Sequence, residues 1–275
     1  MASTTFELVI KPRKGWQPVD LKEIWLYREL LGFLVWRDIK VRYKQTALGG
    51  LWAILQPLIA MLIFGALFGR VTGLKGDGSP YPLFVFAGLV PWTFFANAVG
   101  LSSNSLVGSE QMIRKIYFPR ILVPFGSILA LGLDLIISLL IMAVLMAYYR
   151  WTVTLAILWI PILLVATLLT TSGIGLILSA LNVQYRDVKY VVPFATQMVF
   201  FLTPVLYPVS HAPAKLKVLL MLNPMSGIVE GFRHALLGSP ISWELVSVSS
   251  AVCLFLFVGG MLIFRRMERT FADLI

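Results

Sequence analysis

The chain has 275 residues, of which 59% are hydrophobic and 13% charged, with a mean hydropathy of +0.86. A soluble domain is nearer half apolar and a quarter charged, so this composition excludes a mainly soluble protein and indicates a polytopic membrane protein. The net charge of +10 could serve nucleic acid. In a membrane chain, however, basic residues belong to flanks held at the cytoplasmic surface.

Residues 1–20 read as a polar cytoplasmic arm containing Pro12, Gly15 and Pro18, with no cleavable signal peptide. Asp20 can cap a helix beginning at Leu21, with Glu23 completing a capping box. From there Ile24, Tyr27, Leu31, Leu34 and Val35 share one face, while Lys22, Glu29, Arg37, Lys40 and Lys44 lie elsewhere. The spacing predicts an amphipathic interface helix over 21–46, too charged to cross a membrane. The run Arg37 to Pro57 then drops its charges across Gly49-Gly50, as a surface helix does when it becomes a first span.

A spanning helix needs roughly 20 largely apolar residues. Six candidates follow, at about 47–69, 82–100, 121–149, 155–179, 190–207 and 245–264. Pro193 and Pro204 interrupt the fifth, so kinks are expected there. With the N-terminus inside, seventeen of the 23 Lys and Arg fall on the cytoplasmic side and six on the other. The positive-inside rule therefore places both termini, including a tail at 266–275, in the cytoplasm. No internal repeat supports an inverted-repeat transporter.

Three connections carry candidate function. The cytoplasmic one between the second and third spans has a short helical piece from Glu110 to Tyr117, ended by Pro119. It suits a soluble partner that pushes on the spans, or anchoring of Arg114 and Lys115 to anionic lipid. The next cytoplasmic loop puts Arg186 beside Asp187, as a local ion pair, a helix cap or part of the same contact. The far-side stretch between Tyr207 and Glu244 holds an apolar piece, Val218 to Leu222, too short to span. It reads either as short re-entrant helices forming an exit or as a pair of interfacial helices.

Asp134 is the lone formal charge deep within a span, so a functional or a structural role is open. Aromatic residues make up 13% of the chain. Those near span ends, such as Trp92 and Tyr207, suit interface belts. Trp52, Phe64, Phe68, Phe95, Phe194, Phe200 and Phe201 are candidates to line a pathway, since flat rings stack on sugars without charge. Enzyme chemistry is thin. There is no G-x-x-x-x-G-K-[ST] phosphate loop, so the chain does not itself bind ATP in that way. Ser172-Gly173 has Thr170 where an intramembrane serine protease motif needs Gly, and two His and one Cys make no metal cluster. Glu230 and His234, at i,i+4, are the one candidate pair for lipid-linked sugar chemistry, and an ordinary helix pair explains them equally. A proton- or ion-coupled secondary transporter centred on Asp134 is the other alternative.

Several motifs together carry a resemblance. Arg42-Tyr43-Lys44, Leu48-Gly49, Leu51-Trp52-Ala53 and Gln56-Pro57 open it. Gly88-Leu89-Val90-Pro91-Trp92, Arg114-Lys115-Ile116-Tyr117-Phe118-Pro119-Arg120, Tyr185-Arg186-Asp187 and Leu222-Asn223-Pro224 with Arg233 continue it in order. Over roughly residues 25–270 the chain resembles the ABC-2 type permeases that export polysaccharides, most of all the O-antigen branch, with capsule and teichoic-acid exporters as relatives. The resemblance implies a homodimer in the bacterial cytoplasmic (inner) membrane, with six helices per subunit around one conduit. It also implies two separate ATPase subunits, which carry the ATP and Mg, and a polyprenyl-pyrophosphate-linked glycan as substrate. On that resemblance Arg37 and Arg42 of the surface helix, with Glu110, Gln111, Arg114, Lys115, Arg186 and Asp187, would couple to the ATPase. Asn223, Pro224, Glu230, Arg233 and His234 would belong to a re-entrant exit segment.

Overall fold

The computed structural model describes residues 21–44, 49–71, 78–211 and 213–271. The expected arm, its Asp20 cap and the end of the interface helix at 45–46 lie outside the described residues. The chain enters through α1 (Leu21–Leu26) and α2 (Arg28–Lys44), then makes a 3-10 turn at Gly49–Leu51. Next come α3 (Trp52–Phe64), which widens into a π-helical segment Gly65–Val71, and α4 (Tyr81–Gly108). They are followed by α5 (Glu110–Lys115), α6 (Leu122–Ala130), α7 (Gly132–Tyr148) and, after a 3-10 turn at Leu155–Trp159, α8 (Ile160–Gln184). The last helices are α9 (Val188–Leu202), α10 (Ala214–Leu222), α11 (Pro224–Leu237) and α12 (Trp243–Met267).

Among the described residues, five helical runs are long and apolar enough to cross a membrane: Gly49–Phe68, Tyr81–Gly108, Leu122–Tyr148, Leu155–Gln184 and Trp243–Thr270. They coincide with five of the six expected spans. The remaining candidate, at 190–207, corresponds to α9, which has 15 residues. At 1.5 Å per residue that is about 22 Å, short of a hydrocarbon layer of about 30 Å. Hydropathy overstated this helix because the apolar run continues through Val205 and Leu206, both buried, while the backbone has already turned at Thr203. Pro204, with no N–H to donate, cannot prolong the ladder.

At the centre stands α4. Leu83, Phe84, Val85, Phe86 and Ala87 are successive residues pointing all round the helix, and all are fully buried. A helix apolar on every side must be enclosed by others, and α3, α6, α7, α8, α9 and α11 all pack on it. It also outruns its expected end at residue 100. Its 28 residues span about 42 Å, more than the hydrocarbon layer. The added turns are polar, and within them Ser102, Ser103 and Ser105 satisfy their hydroxyls on Val99 O, Gly100 O and Ser102 O at 3.2, 2.8 and 2.7 Å.

These extensions build a second core. The main core surrounds α4 from Tyr81 to Val99. The second gathers Leu34 of α2, Leu106, Phe118, Leu122, Val183, Phe264 and Phe271. It draws on the distal ends of α4, α8 and α12, and we call it the base. Helix α8 fills the space between α4 and α12. At its crossing with α12 a Cβ built on Gly173 would lie 2.5 Å from Leu256 O, and one on Gly260 would overlap the Gly173 carbonyl. The two backbones touch, as small residues permit between membrane helices.

Candidate functional site

The base carries the loops expected to meet a partner. Asn182 of α8 donates Nδ2 to Ser103 O at 2.9 Å and to Asn104 Oδ1 at 3.2 Å. This bond holds the ends of α4 and α8 side by side, so the connections that follow them emerge together. In the first, Glu110 and Arg114 pair at 2.7 Å with both side chains largely exposed, a contact worth about 0–1 kcal/mol. Gln111 and Lys115 are exposed beside them. Ile116 and Tyr117 are 61% and 60% exposed, whereas Phe118 is buried and anchors the loop in the base. Arg120 secures it further: its backbone N–H donates to Glu268 Oε1 at 3.2 Å and its Nη1 to Glu268 O at 2.8 Å.

In the second connection the expected local pair is absent. Among the described residues Arg186 and Asp187 form no ion pair with each other. Asp187 occupies the N-cap position of α9 without a side-chain cap bond. Both side chains are exposed. The helical φ, ψ of Asp187 (−73°, −19°) differs from the extended geometry in which an N-cap carboxylate reaches its own helix.

Helix α2 is fastened along one stripe. Leu34, 1% exposed, packs where a Cβ on Gly126 of α6 would meet its own Cβ at 3.1 Å. One turn on, Asp38 accepts from Ser127 Oγ at 2.9 Å and pairs with Arg37 at 2.8 Å. A further turn on, Arg42 pairs with Asp134 of α7 at 2.9 Å, and the Tyr43 hydroxyl donates to the other oxygen of the same carboxylate. The intramembrane acid is thus bonded to a neighbouring helix, close to the start of α7. An acid in an apolar span calls for a cation. The basic run just before the first span was the signal. Tyr43, Asp38 and Ser127 were not anticipated. Arg37 and Arg42, expected toward an ATPase, have their guanidinium groups on Asp38 and Asp134.

The aromatic candidates divide. Phe64 lies 6.3 Å from Phe68 and 5.7 Å from Phe200; Trp92 lies 5.4 Å from both Phe95 and Phe200. One cluster therefore ties α3, α4 and α9 together, and Trp92 belongs to it. Phe194 and Phe201 face outward, at 63% and 61% exposure, and Trp52 is half-exposed at 50%.

At the opposite end from the base, α10 and α11 form a helical hairpin. Asn223 caps α11 by accepting from Met225 N at 3.1 Å, and Pro224 takes the first helical position, where its missing N–H costs nothing. Thirteen of the fourteen α11 residues are buried. Arg233, 3% exposed, lies over the Phe84 ring at 3.6 Å. It donates to Val205 O at 2.5 Å, Phe84 O at 3.3 Å and Tyr207 O at 3.4 Å. The Tyr81 hydroxyl adds a bond to Leu206 O at 2.8 Å. The nonhelical 203–207 segment is thus held by side chains from α4 and α11. Glu230 Oε1 accepts from Ser242 N at 2.7 Å, and His234 Nδ1 donates to Ser239 O at 2.8 Å. Both bonds brace the 238–242 loop.

Taken together, this is a bundle of membrane-length helices with α2 fastened to it, adjoining loops at the base and, opposite, a hairpin whose second helix is buried. Residues 29–237 match the family described as ABC-2 type transporter. The chain belongs to the ABC-2 transporter membrane family. Among its ABC-2 relatives is the O-antigen export system permease protein RfbA of Klebsiella pneumoniae, 29% identical over 90% of this chain and 95% of the relative. RfbA of Myxococcus xanthus is 33% identical over 78% of this chain and 82% of its own length. The polysialic acid transport protein KpsM of Escherichia coli is 26% identical over 84% and 91%.

Proposed function

We propose that this ABC-2 protein is the transmembrane permease subunit of an exporter that moves an O-antigen-like polysaccharide, linked to polyprenyl pyrophosphate, across the bacterial inner membrane. The observation that carries the reading is the near end-to-end similarity to relatives named as O-antigen export permeases, over 90% of this chain and 95% of the relative. The permease is a homodimer. Two ATPase subunits, which bind ATP and Mg, dock on the base. Both termini and the base face the cytoplasm, α9 serves as a short fifth span among six, and α10–α11 re-enter from the far side. Support comes from the charge bias and from the grouping of Gln111, Arg114, Lys115, Arg186 and Asp187 on exposed, adjoining loops. Firm seating of α2 on α6 and α7 would carry a push from the ATPase into the third span.

Deleting the gene and assaying surface polysaccharide tests the reading. Loss of surface glycan, intracellular accumulation of the lipid-linked chain, and ATPase co-purification with the permease are expected. Normal surface glycan in the deletion strain would refute it.

A further inference from the structure

A pocket of about 200 Å³ opens where α2, the Gly49–Leu51 turn, α3, α4 and α7 meet. Sites for drug-sized ligands run to about 300–1,000 Å³, so this one has room for a single ring-sized group. Arg42, Tyr43, Trp52, Gln56, Asp134 and Ser138 contribute to its wall.

The chemistry of that wall discriminates among ligands. Arg42 and Asp134 face each other at 2.9 Å, so their charges cancel. A phosphate drawn to the remaining guanidinium nitrogens would lie beside the Asp134 carboxylate, which disfavours an anion. An uncharged polyol meets no such conflict. The Gln56 amide and Ser138 hydroxyl can each donate and accept, and the Asp134 carboxylate accepts. Beside them the Trp52 indole, 50% exposed, offers an apolar aromatic face. A sugar ring has that same division, with an apolar C–H face and a rim of hydroxyls. Thr93, also on the wall, turns its hydroxyl to Leu89 O at 2.8 Å within its own helix.

The geometry points to this pocket as a subsite for one uncharged sugar ring of the transported glycan, stacked on Trp52 and hydrogen-bonded by Gln56, Ser138 and Asp134. The inference rests on the export reading and adds to it the residues that read the cargo. It also assigns the pocket to the sugar and not to the pyrophosphate of the carrier. Because Arg42, Tyr43 and Asp134 also fasten α2, an occupied pocket and a seated surface helix share the same side chains.

The test uses the native host, with the gene deleted and restored on a plasmid beside the intact ATPase. Trp52 is replaced by the photo-crosslinker p-benzoylphenylalanine, which keeps an aromatic face. After irradiation the purified permease is probed with serum against the surface glycan. A glycan-bearing band at position 52, and none with the crosslinker at Phe255, which is 75% exposed on α12, is expected. In parallel, Gln56→Ala or Ser138→Ala slows the appearance of surface glycan about three- to tenfold, the worth of one neutral hydrogen bond, at unchanged permease level. Trp52→Ala slows it at least as much, and Trp52→Phe recovers most of the rate. A strain that exports glycan but gives no band at position 52, or an equal band at 255, overturns the subsite and leaves the export reading standing. So does undiminished export by both Trp52→Ala and Gln56→Ala. Failure of the wild-type gene to restore surface glycan would remove the export reading itself, and the subsite with it.

Discussion

Replacing Asp134 with Asn should loosen the far end of α2 without unfolding the bundle. Arg42 keeps 38% of its side-chain surface exposed and Asp134 15%. An exposed pair is worth about 0–1 kcal/mol, while removing one partner of a fully buried pair costs about 3–5 kcal/mol. This pair lies between the two, so we set the loss at about 2 kcal/mol after allowing for the water that reaches the guanidinium. Asn still accepts from the Tyr43 hydroxyl. Asp134→Ala loses that bond too, about 1 kcal/mol more. Amide hydrogen exchange of purified permease, followed over residues 28–44, reads the local opening. At 1.4 kcal/mol per tenfold, exchange should quicken about 30-fold in Asp134→Asn and over 100-fold in Asp134→Ala. Adding Arg42→Gln to Asp134→Asn should recover much of the protection, because the stranded cation is gone. Exchange in Asp134→Asn equal to wild type would refute the tether.

Other outcomes follow from the same geometry. Gly49 has φ of +49°, whereas a Cβ on Gly50 would meet nothing nearer than Tyr43 Cδ1 at 3.8 Å. Gly49→Ala should therefore cost about 1–2 kcal/mol and slow export, and Gly50→Ala should leave both thermal stability and export near wild type. Gly173→Leu should abolish recovery of folded permease on size-exclusion chromatography, while Gly259→Leu, with no atom within 4 Å of its added Cβ, should be recovered normally. Arg233→Met strips the donor from Val205 O and Tyr207 O, and at about 1–3 kcal/mol per stranded carbonyl it should lower the thermal midpoint by several degrees. Charge reversal of the exposed Glu110 and Arg114 together should leave that midpoint unchanged but lower ATPase activity in the reconstituted complex.

Legibility in the sequence followed the physics of each signal. The long spans were readable because lipid demands continuous apolarity, and the face that α1 and α2 share through Ile24, Tyr27, Leu31 and Leu34 was readable from its helical spacing, although the helix breaks at Tyr27. Helix ends were harder. Ser102 to Ser105 look like a loop by hydropathy, yet the helix runs on through them and the serine hydroxyls bond back to its own carbonyls. Val205 and Leu206 look like span and are buried turn. Pairings were hardest of all. Nothing local to Arg42 names Asp134 as its partner, since the two lie far apart along the chain, and only the cost of an unpaired acid in a membrane narrows the choice. The aromatic set could not be divided by spacing, because whether Phe200 or Phe201 turns inward depends on the rotation of a short helix about its own axis. Arg186 and Asp187 show the converse, in which adjacency in sequence allowed a local ion pair that the two side chains do not form.

The crossing of α8 and α12 sets limits on how such a machine can move. Helices separated by side chains can slide as rotamers change, but two backbones in contact have no such bearing surface. The α8–α12 pair would therefore move as one piece, with α4 packed against α8. Displacement imposed at the base has to be taken up by the elements outside that piece: α2 with the hinge at Gly49, the α6–α7 rod it grips, and the short α9 with its fastened turn. A stroke delivered from below would then tilt one panel against a fixed post instead of reshaping the whole bundle.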